Sequence, residues 1–234
     1  MVESPLQKSF TDLSNSLPAT VGIAIASAGR RPVSLGAWSA GVAWSTIKVP
    51  LAIAALKEGL EKDLEEDNAD LVFKTITQSD NAAAEALWSQ LGDCAAELVQ
   101  SVIREAGDPT TVVESRRLRA EYTPFGQTRW SLTDQARFAA GLSRVPDASR
   151  VINLMGNVSA EHCWGLAAKG FAAKGGWGPG IADDYLVRQF AVVSATVGVA
   201  LAAEVRDGGY EAGVEVVNAL TDWLVARLAE LTDD

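Results

Sequence analysis

Trp44-Ser45-Thr46-Ile47-Lys48-Val49 puts a hydroxyl and an amine three positions apart, where the sequence pattern turns helical. From Ser45 onward, Ile47, Leu51, Ala54, Ala55 and Glu58 follow helical spacing, and Gly59 marks the expected end. Pro50 falls in the first turns, where a missing N–H costs least. Residues three apart share a helix face, so Ser45 and Lys48 stand side by side. The helix N-terminus favours a nascent alkoxide and disfavours a charged Lys48. A neutral amine is what a serine nucleophile needs as its proton acceptor. The spacing alone arises easily by chance in a chain of 234 residues, so the surrounding sequence must decide its meaning.

Before the tetrad, Thr20–Ser27 alternates small and β-branched residues as a strand, Gly29-Arg30-Arg31-Pro32 turns, and Val33–Ala37 reads as a second strand. After it, Asp67–Thr77, Asn81–Leu91, Cys94–Ala106 and Leu132–Leu142 read as helices, and the Gly/Pro-punctuated stretch 107–130 as a long loop. Towards the end, Ala168–Gly175 reads as a strand and Gly176-Trp177-Gly178-Pro179-Gly180 as a turn. Leu186–Ala195 and Val197–Val205 read as further strands, and Gly213–Leu231 as an amphipathic helix with Val214, Val217, Leu220, Leu224 and Leu228 on one face. Strands at both ends with helices between predict an α+β sandwich: one antiparallel sheet built from both termini, covered by helices. The expected division is a discontinuous sheet domain, 1–44 and 166–234, with a helical domain inserted at 45–165.

Composition narrows the chemistry. Apolar residues make up 48%, enough for a sizeable core, and the net charge of −10 opposes binding to phosphate backbones. Phe190–Ala203 is the longest charge-free apolar stretch of the second half, shorter than the ~20 residues a span requires. MVESPLQKSF lacks a leader's basic and apolar regions, so either a cytoplasmic location or a start after a removed leader is expected. Cys94 and Cys163 allow at most one bridge. The single histidine, His162 in Glu161-His162-Cys163-Trp164, sits before an apolar run with no obvious acidic orienter, which disfavours a Ser-His-Asp triad. Ala37-Trp38-Ser39-Ala40-Gly41 lacks the first glycine of a nucleophile elbow, so Ser39 reads as a turn serine.

Two further motifs join the tetrad. Ser79-Asp80-Asn81 opens a predicted helix, where each residue type is also an ordinary cap. Lys174-Gly175-Gly176 ends a predicted strand. S-x-x-K, S-D-N and K-T-G in this order mark the serine β-lactamase/penicillin-binding protein superfamily, and the chain resembles it on the class A-like side. The resemblance implies an acyl-enzyme on Ser45, with Lys48 relaying its proton and Ser79 passing a proton to the leaving nitrogen. It places Asn81, Lys174, Gly176 and Trp177 around the substrate, the oxyanion hole being the N–H groups of Ser45 and Trp177. Arg188 is expected to face the substrate carboxylate together with Lys174, and Asp80 to be structural. The implied substrate is a β-lactam or a cell-wall-peptide-like amide or ester. No cofactor, metal or nucleic acid is implied; a monomer, and a place outside the cytoplasmic membrane, are.

The chain departs from that pattern in three places. Gly175 stands where a hydroxyl is expected to bond the substrate carboxylate. The segment from Ser45 to Ser79 is short, which trims the helical domain. The deacylating glutamate has no clear motif: Glu121 in the long loop is preferred over Glu114, and neither is followed by Leu-Asn. The expected function is therefore a serine hydrolase in which β-lactam turnover is weak. The alternatives are a D,D-peptidase or penicillin-binding type with slow deacylation, and a non-catalytic binder of the same fold.

Overall fold

The computed structural model describes residues 4–61 and 65–232. In chain order the elements are α1 (Pro5–Ser16), β1 (Ala19–Ser27), β2 (Val33–Gly36), β3 (Ala40–Val42), α2 (Lys48–Glu61), α3 (Glu65–Thr77), α4 (Asn81–Leu91) and α5 (Ala95–Glu105). Then follow β4 (Arg129–Ser131), α6 (Leu132–Gly141), α7 (Ala148–Met155), β5 (Ala172–Pro179), β6 (Asp184–Val192), β7 (Val197–Arg206), α8 (Tyr210–Val225) and α9 (Leu228–Thr232).

The sheet is antiparallel with strand order β2-β1-β7-β6-β5. Both chain ends meet at its centre, where Ala19 pairs with Val205 and Ser27 with Val197. The two-residue side-chain period divides these strands between two cores. Val21, Ile23, Ile25, Val199 and Leu201 face α1 and α8, while Ala24, Ala200 and Ala202 face the helical side. Those alanines, with Gly198, let α6 lie close on β1 and β7; a Cβ on Gly198 would run into the α6 backbone. Helix α6, which the sequence assigned to the helical insertion, therefore packs on the sheet.

Several boundaries differ from those expected. Strand β5 runs straight through Gly176-Trp177-Gly178-Pro179, expected to turn, because β6 supplies partners along its full length, with Gly176 opposite Arg188 and Pro179 opposite Tyr185. Glycine is tolerated in a strand where another backbone approaches closely, and here that neighbour is the Ser45 turn. The terminal helix starts earlier, at Tyr210, and is interrupted before α9. Helices α1 and α7 and the short strands β3 and β4 add to the expected elements; Ser4 and Gln7 form a reciprocal capping box at the start of α1, where Pro5 is the first residue.

Cys94 and Cys163 are both exposed and free. Among the described residues, no helix is long and apolar enough to cross a membrane.

Candidate active site

Ser45 lies on a 3-10 turn, Trp44–Ile47, that leads directly into α2. Trp44 enters it with φ +49°, in the left-handed region. A buried chain of hydrogen bonds fixes the turn. The Thr46 hydroxyl donates to the Ala43 carbonyl at 2.6 Å, and Gln135 Nε2 donates to Thr46 Oγ1 at 2.9 Å. The other end of that amide accepts from Arg188 at 2.8 Å. Strand β5 seals the opposite side: a Cβ on Gly176 would stand 2.8 Å from the Ala43 carbonyl and 2.9 Å from the nitrogens of Ser45 and Thr46.

The remaining chemistry gathers around Ser79. Its φ of +52° places it in the left-handed region just ahead of α4. Asp80 caps that helix by accepting from Ala83 N at 2.7 Å, the structural part expected of it. Lys48, 1% exposed, donates to the Ser79 carbonyl at 2.6 Å and to Asn81 Oδ1 at 2.7 Å, and reaches Ser79 Oγ at 3.4 Å. Lys174, 2% exposed, donates to Ser79 Oγ at 2.8 Å and to the Gly175 carbonyl at 3.1 Å. Two buried amines thus converge on one hydroxyl. Burial drives the Lys48 amine from its ordinary 10.5 down to about 7, with Asp80 pulling partly the other way. Lys174 is held well below its ordinary value, by burial first and by the Lys48 charge second.

Ser45, Lys48, Ser79, Asn81 and Trp177 line one cleft of about 300 Å³. Strand β5 is the outer strand of the sheet, so one row of its backbone groups has no strand partner. The Pro179 carbonyl points outward, because it accepts from Arg119 at 2.7 Å. Alternate residues of a strand share a direction, so the Trp177 N–H also faces outward, towards the cleft that Trp177 lines.

Two expected positions need correction. Arg188 is fully buried and takes no part in the cleft. It donates to the carbonyls of Gly41, Val42 and Trp130 and to Gln135, and its guanidinium lies 5.3 Å from the Trp38 ring. Three converging backbone carbonyls draw the charge inward, beneath the Ser45 turn. Glu114 also stays out of the cleft, because its carboxylate is turned to Arg116 at 2.8–3.3 Å; those bonds hold its pKa below the ordinary value.

Glu121 does line the cleft, with its carboxylate 3.7 Å from Arg119. So does Glu85, which the sequence reading missed; it lies one helical turn beyond Asn81 and pairs with Arg117 at 3.1 Å. The i, i+4 spacing from Asn81 was the available signal. His162 does not line the cleft: its Nε2 is 2.9 Å from the Gln78 carbonyl and its ring packs on Trp177 at 5.2 Å. Among the described residues no cluster of His, Cys, Asp and Glu is arranged to hold a metal ion.

An antiparallel sheet closed by the chain ends, flanked by helices, with a serine–lysine turn facing a Ser-Asp-Asn loop and a strand lysine, defines the class A β-lactamase fold. Solved structures agree in fold. A variant of the last common ancestor of Gram-negative bacterial class A β-lactamases superposes with TM-score 0.70 at 17% identity, over 97% of this chain and 99% of that one. The class A β-lactamase from Mycobacterium abscessus gives 0.67 at 15% identity, over 96% and 99%. The TLA-3 extended-spectrum β-lactamase gives 0.67 at 13% identity, over 96% and 100%. The model of the beta-lactamase enzyme family matches residues 60–222, and the chain belongs to that family. That match begins after Ser45 and Lys48, so the case for these two rests on their geometry. No curated protein matches the sequence.

Proposed function

We propose that the protein is a serine acyl-hydrolase that forms an acyl-enzyme on Ser45 with β-lactams or related amides and esters. The observation that carries this reading is the pair of buried amines on Ser79, one of which, Lys48, shares the cleft with Ser45 and titrates at about 7. Neutral Lys48 takes the Ser45 proton as Oγ bonds to the substrate carbonyl carbon. The N–H groups of Ser45 and Trp177 receive the developing oxyanion; a single donor of this kind is worth ~3 kcal/mol. Ser79 Oγ gives its proton to the leaving nitrogen or oxygen as the old bond breaks, and protonated Lys48 restores it. Asn81 holds Lys48 and the substrate amide, and Lys174 orients the Ser79 hydroxyl.

Water must then release the acyl group. Glu121 is the proposed base, since it lines the cleft. Its solvent exposure and its pairing with Arg119 favour slow deacylation, as in a penicillin-binding type of enzyme. Intact mass followed over time with a fluorescent penicillin and a chromogenic cephalosporin separates the outcomes, with Ser45→Ala as control. A persistent adduct on Ser45 supports acylation with slow release, and rapid turnover supports a β-lactamase. Absence of any adduct with these compounds and with fluorophosphonates would leave a non-catalytic binder of the same fold.

A further inference from the structure

The end of the cleft beside Lys174 is built differently from an anion site. Gly175 offers no hydroxyl, and its place is filled: a Cβ there would lie 2.6 Å from the Trp164 ring. The surrounding face of β5 is aromatic. Trp177 packs against His162, Tyr210 and Trp164 with centroids 5.2, 4.9 and 6.2 Å away.

Among the described residues, the cations around the cleft already hold partners. Lys174 already donates to Ser79 and to the Gly175 carbonyl, and Lys48 to Ser79 and Asn81. Arg188 is withdrawn beneath the Ser45 turn. On the far wall Arg117 pairs with Glu85, while Arg119 is tied to the Pro179 carbonyl and lies over Tyr122 at 4.3 Å. The charges that do face the cleft include two carboxylates, Glu85 and Glu121, and its apolar walls are Trp44, Tyr122, Phe125 and Trp177. A substrate carboxylate entering here would lose hydration, find no hydroxyl at Gly175 and no arginine from the Arg188 position, and lie on the same wall as the carboxylates of Glu85 and Glu121.

Resting on Ser45 acylation as proposed above, we infer that, within that substrate class, the site prefers esters or amides with no carboxylate beside the scissile bond and with an apolar group set against the Trp44, Tyr122 and Phe125 wall. Aromatic walls recognise such groups by stacking and area burial and need no charge partner.

A matched pair of phenylacetylglycine aryl esters tests this with the full chain. One releases 3-hydroxybenzoate and the other the isosteric, uncharged 3-hydroxybenzamide; intact mass reads the rate of Ser45 acylation. The uncharged ester is expected to react about tenfold faster or more. Equal rates, or a faster carboxylate ester, would overturn the assignment. If neither reacts while a fluorophosphonate labels Ser45, the substrate class is wrong and the nucleophile stands. If the fluorophosphonate also leaves Ser45 untouched, the underlying reading fails with it. In a Trp164→Ala, Gly175→Ser variant that folds, the rate ratio is expected to move several-fold towards the carboxylate ester. An unchanged ratio there would remove Trp164 and Gly175 from the argument.

Discussion

Burial of Lys48 makes a quantitative demand on the pH dependence of acylation. An amine that titrates at about 7 is half neutral at pH 7. One at the ordinary 10.5 would be neutral in roughly one molecule in 3,000. Desolvation therefore raises the competent fraction by about 10³, equivalent to ~5 kcal/mol between the two protonation states. Protonated Lys48 cannot accept the Ser45 proton, so the rate falls as pH falls through the Lys48 pKa. Pre-steady-state labelling of Ser45 by an activated aryl ester, from pH 5 to 9, reads this directly. The expected profile loses about tenfold per pH unit below 7 and levels off above about 8. Asp80 raises the Lys48 pKa through its charge, so Asp80→Asn, which can still cap α4, should shift the profile to lower pH with its shape intact. A flat profile between pH 5.5 and 8.5, or a rate still climbing at pH 10, would refute Lys48 as the base.

Gly176→Ala pushes a methyl against the Ala43 carbonyl and the Ser45 nitrogen; acylation is expected to fall about 100-fold, as a ~1 Å misplacement does, while circular dichroism stays native. Arg188→Ala leaves the carbonyls of Gly41, Val42 and Trp130 without their donor in a buried setting. It should lower unfolding stability in urea by at least ~1–3 kcal/mol, the cost of one buried acceptor left unpaired, whereas a substrate-binding arginine would instead change KM with stability intact. Glu121→Gln should preserve the acylation burst and slow steady-state release; unchanged turnover would remove Glu121 as the deacylating base.

Much of this was legible in the sequence because local rules and tertiary fold agree. Asn81–Leu91 starts and ends where its cap and its spacing place it, since Asp80 supplies the cap whatever else packs nearby. The Ser45–Lys48 pair and the Ser79 loop were readable as motifs, and the fold brings Lys48, Ser79, Asn81 and Lys174 together. The misreadings fall where distant partners decide. Gly176 to Pro179 has the composition of a turn, yet β6 and the Ser45 turn hold it as a strand. Arg188 has the strand position expected of a substrate-facing cation, but the acceptors that draw it inward come from β3, β4 and α6, far away in sequence. Glu85 was hidden by its ordinary place on a helix. The role of Trp164 as the filler over Gly175 has no local signal at all.

The central claim is that Ser45 is the nucleophile. Labelling the full chain with an alkyne fluorophosphonate, followed by peptide mapping, tests it most directly. One label per molecule is expected, on Ser45, lost in Ser45→Ala and slowed by orders of magnitude in Lys48→Ala. Labelling on Ser39 or another serine, or an unlabelled Ser45 in folded protein, would contradict it.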